Sequence, residues 1–175
     1  MERATVYTEK KEYIRTAAKV VLGCLLMTLC SFVKIPLYPI SFTLHTFAVA
    51  LLGMTQRPKE AFASVMLYLL CGSVGLPVFA GHANPLWLAG KAAGYYVSFP
   101  IVAYLIAKMR EKISPIAALA IGNALTLLMG GFWLAPLLGL KVAILNGMLI
   151  FVPSELLKIL AVLSFVSWKK RVFAH

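Results

Sequence analysis

The sequence contains no aspartate, and only six of its 175 residues are acidic. Charged residues make up 13% of the chain, whereas a soluble domain typically carries about 25%. Hydrophobic residues make up 61%. A chain with so few polar groups cannot cover its own outer surface with them, so part of its surroundings must be lipid.

Two kinds of site are excluded by what the sequence does not contain. It has three cysteines, Cys24, Cys30 and Cys71, and no CxxC pair, so neither a zinc site nor a disulfide framework is indicated. All three lie in apolar stretches and are predicted to be small buried hydrophobic residues. No GxxxxGK[ST] run occurs either, so the chain lacks the loop that cradles ATP phosphates. Energy for active transport would have to come from partner chains or a gradient.

Six apolar runs dominate the rest of the chain. They are Ala17–Val33, Ile40–Met54, Ala61–Leu70, Ala92–Ala107, Pro115–Leu128 and Val142–Val166. A helix that crosses the hydrocarbon core needs about 20 residues, and several runs are shorter, which suits a tightly packed bundle. We predict an all-α, polytopic membrane protein, a compact bundle of six transmembrane helices that forms a single substrate-binding domain over residues 1–175.

The basic residues support six spans. The net charge of +11 would suggest nucleic acid as a partner of a soluble protein, but the charges lie in short clusters between the apolar runs. With the N-terminus in the cytoplasm, thirteen of the 17 basic residues fall in cytoplasmic segments, as the positive-inside rule requires. This predicts a multi-pass protein of the cytoplasmic (inner) cell membrane with both termini in the cytoplasm and residues 1–16 as a cytoplasmic tail. No nucleic-acid partner is expected.

Two stretches interrupt the apolar pattern. Cys71–Gly90 combines a high density of glycine and proline, which is typical of turns, with apolar side chains. On the outer side of the membrane it is predicted to be a lid loop over a cavity, or else a re-entrant connector that only packs. Pro153 is predicted to begin the final helix, about 154–168, so that residues 131–152 form an outer excursion containing a short helix.

Glu155 is the one acid within the apolar part of the chain. An ionisable residue in such a position is by default a candidate for function. Lys158 follows three residues later, so the two side chains share a helix face. The alternative is a structural ion pair, although a buried pair rarely stabilises a protein more than apolar packing does.

Four segments carry a more specific signal. They are SFTLHTFAV at 41–49, GLPVFAG at 75–81, GKAAGYY at 90–96 and FVPSELLK at 151–158. In this order the sequence resembles the BioY family, the biotin-binding S components of energy-coupling factor (ECF) transporters. The resemblance implies high-affinity biotin binding and uptake, with no cofactor and no enzymatic activity. It also implies an ECF coupling module as partner, made of a transmembrane T component and an ATPase pair.

The resemblance also implies a ligand site. Glu155 stands at the family's acidic position and would accept hydrogen bonds from the ureido N–H groups of biotin. Asn84 has a donor and an acceptor for the same group, and Lys91 or Lys158 would face the valerate carboxylate. The predicted ligand-binding set is completed by three aromatic walls and two polar residues of the first segment, namely Phe79, Trp87, Tyr95, Thr43 and His45. No catalytic or metal-binding residue is predicted.

Alternatives remain open at this point. Tyr95, Tyr96 and Trp87 would also suit the aromatic belt at a membrane surface, and His45 would suit a packed, fully hydrogen-bonded histidine. The same architecture would serve a different vitamin or small solute. A membrane-embedded enzyme is the alternative of another class, but the histidines are scattered and no paired acids occur. A scaffold without a ligand would leave Glu155 without a purpose.

Overall fold

The computed structural model describes residues 2–79 and 84–172, with side chains from residue 11 onward except at 170. The helices are α1 Glu2–Phe32, α2 His45–Thr55, α3 Pro58–Ser73, α4 Ala93–Met109, α5 Pro115–Leu138, α6 Leu140–Val142 and α7 Val152–Val172. A two-stranded hairpin, β1 Lys34–Ile35 and β2 Phe42–Thr43, joins α1 to α2. A 3-10 turn, Trp87–Ala89, precedes α4.

The predicted helical bundle is confirmed, while the number of membrane crossings is supported only in part. Within the described residues, three helical segments are long and apolar enough to span a bilayer: Lys11–Phe32, Pro115–Leu138 and Leu140–Lys169. Helices α2 and α4 are apolar but shorter. The tail predicted for residues 1–16 is helical from Glu2 and continuous with α1, and its cytoplasmic location stays a prediction.

Small residues bring the central helices close together. A Cβ atom at Gly53 on α2 would lie 2.7 Å from the Ile106 side chain, and one at Gly122 on α5 would lie 2.6 Å from it. Ile106 of α4 is completely buried between them. Membrane helices associate through this kind of close packing at small residues, so α2, α4 and α5 form the centre of the bundle.

Helix α5 is ten residues longer than the apolar run Pro115–Leu128 that predicts it. It continues through Gly130 and Gly131 to Leu138 and stops at Gly139, whose φ of 88° breaks the helix. Position 130 requires glycine, because a Cβ atom there would clash with the Tyr95 ring. From the local sequence this glycine would favour a turn, but in the folded chain it lies within a helix and leaves room for a neighbouring aromatic ring.

The outer excursion predicted for residues 131–152 is therefore wrong for its first eight residues, which belong to α5. The rest is one irregular helical path: α6, a π-helical stretch at Ala143–Met148 and a 3-10 turn at Leu149–Phe151 lead directly into α7. Pro153 lies in the first turn of α7, as predicted, where a missing N–H costs little. The final helix extends four residues beyond the predicted end at Trp168.

The connection between α1 and α2 was not predicted to contain strands. Lys34 pairs with Thr43 and Ile35 with Phe42 in the antiparallel hairpin, and the Leu44 N–H donates to the Val33 carbonyl at 3.3 Å. These short strands leave the fold class unchanged. They fix the chain next to the start of α2, where the polar residues of the site begin.

Candidate functional site

A cavity of about 380 Å³ lies where the starts of α2, α4 and α7 meet the two longest connections. This volume is within the range of small-molecule sites, about 300–1,000 Å³. All nine residues of the predicted ligand-binding set line it: Thr43, His45, Phe79, Asn84, Trp87, Lys91, Tyr95, Glu155 and Lys158. The structure brings them together from five separate parts of the chain.

A buried ion pair lies in the wall formed by α2 and α7. Lys158 Nζ lies 2.8 Å from Glu155 Oε1, and both side chains are 7% exposed. The Thr46 hydroxyl donates to the same Oε1 at 2.8 Å. This network ties the first turn of α7 to the first turn of α2 and holds the carboxylate in one orientation.

The second oxygen of this carboxylate has no hydrogen-bond partner among the residues that the structure describes. Among the described residues, Glu155 Oε2 is buried and no group donates a hydrogen bond to it. An acceptor left unpaired in a buried site costs free energy, and more so when it is charged. A ligand that donates a hydrogen bond to Oε2 would remove that cost, so this oxygen is the strongest anchor for a polar ligand in the cavity.

Lys158 is fully occupied within the protein. Its ammonium donates to Glu155 Oε1, to Thr46 Oγ1 at 2.7 Å and to the Thr43 carbonyl at 3.0 Å, and it lies 4.4 Å from the centre of the Phe42 ring. An ammonium has only three donors. Lys158 therefore positions Glu155 and has no donor left for the carboxylate of a ligand.

Two lysines at the cavity mouth are better placed to meet an anion. Lys34 and Lys91 are exposed and line the cavity, and Lys91 Nζ lies 4.8 Å from the centre of the Tyr38 ring. Within the described part of the chain neither lysine forms an ion pair. Lys34 was not among the predicted site residues, because a lone lysine after an apolar run resembles any loop charge.

The middle of the cavity is aromatic. Tyr96 has its ring centre 5.1 Å from that of Phe79, 5.7 Å from Trp87 and 5.6 Å from Phe99. Phe79 and Trp87 are buried, which does not fit the exposed membrane belt that was the alternative for Trp87. These rings form a wall that suits an apolar ring system.

His45 is both a cavity residue and a packed one. Its Nδ1 lies 2.8 Å from the Thr43 hydroxyl and its Nε2 lies 2.6 Å from the Tyr68 hydroxyl, while its ring stacks on Phe99. Both ring nitrogens are thus used within the protein. His45 shapes the wall and holds Thr43, whose carbonyl accepts from Lys158.

The polar group of Tyr95 is likewise used within the protein. Its hydroxyl donates to the Gly147 carbonyl in the π-helical stretch, and only 8% of the residue is exposed. Tyr95 therefore supports the wall between α4 and the chain that precedes α7. Its position in the cavity lining matches the prediction, and the belt interpretation does not apply to it.

Described residues of the connection between α3 and α4 line the cavity, and the action of this connection as a lid stays a prediction. The Trp87 indole N–H donates to the Ser73 hydroxyl at 2.9 Å, and the Trp133 indole N–H donates to the Gly90 carbonyl at 3.1 Å. Asn84 lies at the mouth and is exposed. Residues 80–83 of the predicted lid lie outside the described residues.

Several lining residues were missed by the sequence analysis. They are Lys34, Pro39, Ile40, Ser41, Thr46, Phe99, Thr126, Leu127 and Phe151, among others. Thr46 is the most consequential, because it contacts both members of the ion pair. Its position inside the segment 41–49, one residue after His45, was the signal that would have found it.

The fold and the cavity define a helical membrane protein that encloses a small, aromatic-walled site with one buried acid. The chain belongs to the BioY family, whose sequence profile matches residues 2–174. It is similar to the probable biotin transporter BioY of Rickettsia prowazekii, with 32% identity over 98% of this chain and 92% of that protein. The probable biotin transporter BioY of Pyrococcus horikoshii is 32% identical over 72% of this chain and 78% of its own length.

A solved structure has the same fold. The crystal structure of the S-component for biotin from an ECF-type ABC transporter matches with a TM-score of 0.78 and covers 92% of this chain and 93% of that one. The sequence identity of this pair is 19%, so the likeness establishes the arrangement of the helices and not the details of the cavity.

Proposed function

We propose that this chain binds biotin in the cavity and serves as the substrate-specific subunit of an ECF-type transporter. The observation that carries the proposal is the buried Glu155 Oε2, which lies in the cavity wall without a hydrogen-bond partner among the described residues. The names of the relatives point to the same solute.

The chemistry of biotin fits the order of groups along the cavity. Its ureido N–H groups would donate to Glu155 Oε2, a charge-assisted hydrogen bond of the stronger kind. Its thioether ring would lie against Phe79, Trp87 and Tyr96. Its carboxylate would extend to the mouth, where Lys91 and Lys34 carry charges that no acid of the described residues neutralises.

Transport would need a partner. The chain has no ATP-binding loop, so a coupling module with a T component and an ATPase pair would supply the energy, in keeping with the ECF context of the matched structure. The distribution of lysine and arginine supports placement in the cytoplasmic membrane with both termini inside. In this role the chain binds and moves a solute and performs no chemistry on it.

Calorimetry on the purified protein tests the site. We expect biotin to bind tightly and Glu155→Ala to weaken binding by roughly 2–5 kcal/mol, as for a truncated partner of a buried charge. Glu111→Ala removes an exposed carboxylate from the α4–α5 connection and should leave the affinity unchanged. Equal affinities of the wild type and Glu155→Ala would refute the role of Glu155. Competition with other unlabelled vitamins decides whether biotin is the preferred solute.

Uptake into vesicles tests the coupling. We expect accumulation of labelled biotin to need the coupling module and ATP, and to stop early without them. The solute recovered from the vesicles should be unmodified biotin. Sustained ATP-independent accumulation by the chain alone would contradict the proposed dependence on a module, and a modified product would favour an enzyme.

A further inference from the structure

A second cleft lies at the other end of α2 from the cavity. It has a volume of about 340 Å³ and is lined only by polar and charged residues of α1, α3 and the connection before α3: Lys11, Glu12, Arg15, Thr16, Lys19, Arg57 and Glu60. Four of these are cations and two are anions. The cleft therefore carries an excess of two positive charges.

The two acids of the cleft are already paired. Both oxygens of Glu60 lie 3.1 Å from Lys19 Nζ, and Glu12 Oε1 lies 3.1 Å from an Arg57 nitrogen. Lys11 and Arg15 are exposed, and within residues 11–79 and 84–169 no acid pairs with them. The excess charge is thus located on these two side chains.

The close spacing of the cations on α1 is unfavourable unless an anion neutralises their charge. Lys11, Arg15 and Lys19 follow one another at intervals of four residues on α1, so they are neighbours on one helix face, where like charges repel. A phosphate group between Lys11 and Arg15 would reverse this repulsion, and a guanidinium matches two phosphate oxygens at once.

The same face of α1 continues as an exposed apolar surface. Leu22 and Leu29 follow Arg15 at steps of seven residues, which keeps them on its side of the helix, and they are 64% and 67% exposed. Leu25 between them is 53% exposed. A cationic cleft that continues into an apolar helix surface is complementary to an anionic phospholipid, which has a charged headgroup and apolar acyl chains.

We propose that the cleft formed by Lys11, Arg15, Lys19 and Arg57 binds the phosphodiester headgroup of an anionic phospholipid, whose acyl chains lie along Leu22, Leu25 and Leu29 of α1. Free phosphate shares the charge but has no apolar part, so the leucine surface favours the lipid. The site is separate from the cavity and does not depend on which solute the cavity binds.

Native mass spectrometry of the full chain in detergent, titrated with phosphatidylglycerol, tests the proposal. The double variant Lys11→Gln/Arg15→Gln should raise the apparent Kd for this lipid by about tenfold or more. The matched control, Lys108→Gln/Lys112→Gln, removes two exposed lysines from the end of α4 and the connection after it and should change the Kd by less than about twofold. Both variants should keep the wild-type unfolding temperature.

The other outcomes overturn the proposal. Equal losses in the two double variants would mean a general effect of surface charge, and no loss in either would mean that the cleft does not bind lipid. Displacement of phosphatidylglycerol by inorganic phosphate would identify a free-anion site. Undiminished lipid binding together with weaker co-purification of a coupling module would make the cleft a protein contact.

Discussion

Two carboxylates at opposite ends of α2 are nearly equally buried and differ in how completely they are hydrogen-bonded. Glu60, at the start of α3, uses both oxygens: Oε1 accepts from Lys19 and Thr16, and Oε2 accepts from Lys19 and the Arg57 N–H. Within the described part of the chain Glu155 uses only Oε1, which accepts from Lys158 and Thr46. A carboxylate with both oxygens satisfied suits a structural role, while one with a buried free oxygen suits a ligand.

The difference predicts separate consequences for stability and binding. Removing the charge of Glu60 should weaken the packing of α1 against α3 and lower the stability of the protein. The cavity at the other end of α2 should keep its shape. Changes around Glu155 should act on the ligand first. Both sites contain a buried acid next to a lysine, so burial alone does not separate them, and the number of partners per oxygen does.

The largest effect on stability is expected from Glu60→Gln. The amide keeps the shape of the carboxylate but loses the negative charge that faces Lys19. If its NH2 group takes the place of Oε2, it faces the Arg57 N–H, and two donors then meet without an acceptor. We expect the free energy of unfolding to fall by about 1–3 kcal/mol, measured by thermal unfolding in detergent. Biotin affinity of the folded fraction should stay the same.

Glu12→Gln is the matched control for that change. Glu12 lines the same cleft, but its pair with Arg57 has side chains that are 67% and 69% exposed, and exposed pairs contribute about 0–1 kcal/mol. A loss of stability as large as that of Glu60→Gln would contradict a structural role specific to Glu60.

An effect on binding, smaller than that of Glu155→Ala, is expected from Thr46→Val. The two side chains have the same shape, so the change removes only the hydroxyl that links Glu155 to Lys158. We expect biotin to bind at least about tenfold more weakly, since hydrogen bonds to charged groups contribute about 1.5–3 kcal/mol. Thr55→Val is the control, because the Thr55 hydroxyl at the other end of α2 donates to a backbone carbonyl, that of Leu51. Equal losses of affinity would remove Thr46 from the site.

The smallest effect is expected from Lys91→Gln. This lysine is exposed at the mouth, where an ion pair is worth about 0.2–1 kcal/mol. Calorimetry should detect a loss of that size for biotin and none for biotin methyl ester, which lacks the carboxylate. An equal loss for both compounds would mean that Lys91 does not meet the carboxylate.

The apolar runs predicted the helical bundle, and most of the nine lining residues had a local signal. Glu155 was the one acid in an apolar run, and the segments around Phe79, Tyr95 and His45 resembled a known family. The length of α5 was missed, because the fit of Gly130 against Tyr95 exists only after folding. The pairing of Lys158 with Glu155 was one of the alternatives drawn from the sequence, but the contacts of Lys158 with Thr43 and Thr46 were missed, since these residues lie more than a hundred positions before it.

The shortness of α2 has a consequence for the path of a solute. Its 11 residues span about 16 Å, and they separate the polar network of Thr46 at one end from the polar cluster of Gln56 and Arg57 at the other. The hydrocarbon layer is about 30 Å thick. With the basic cleft at one membrane surface, a molecule seated on Glu155 would therefore lie within the depth of the hydrocarbon layer and not outside it.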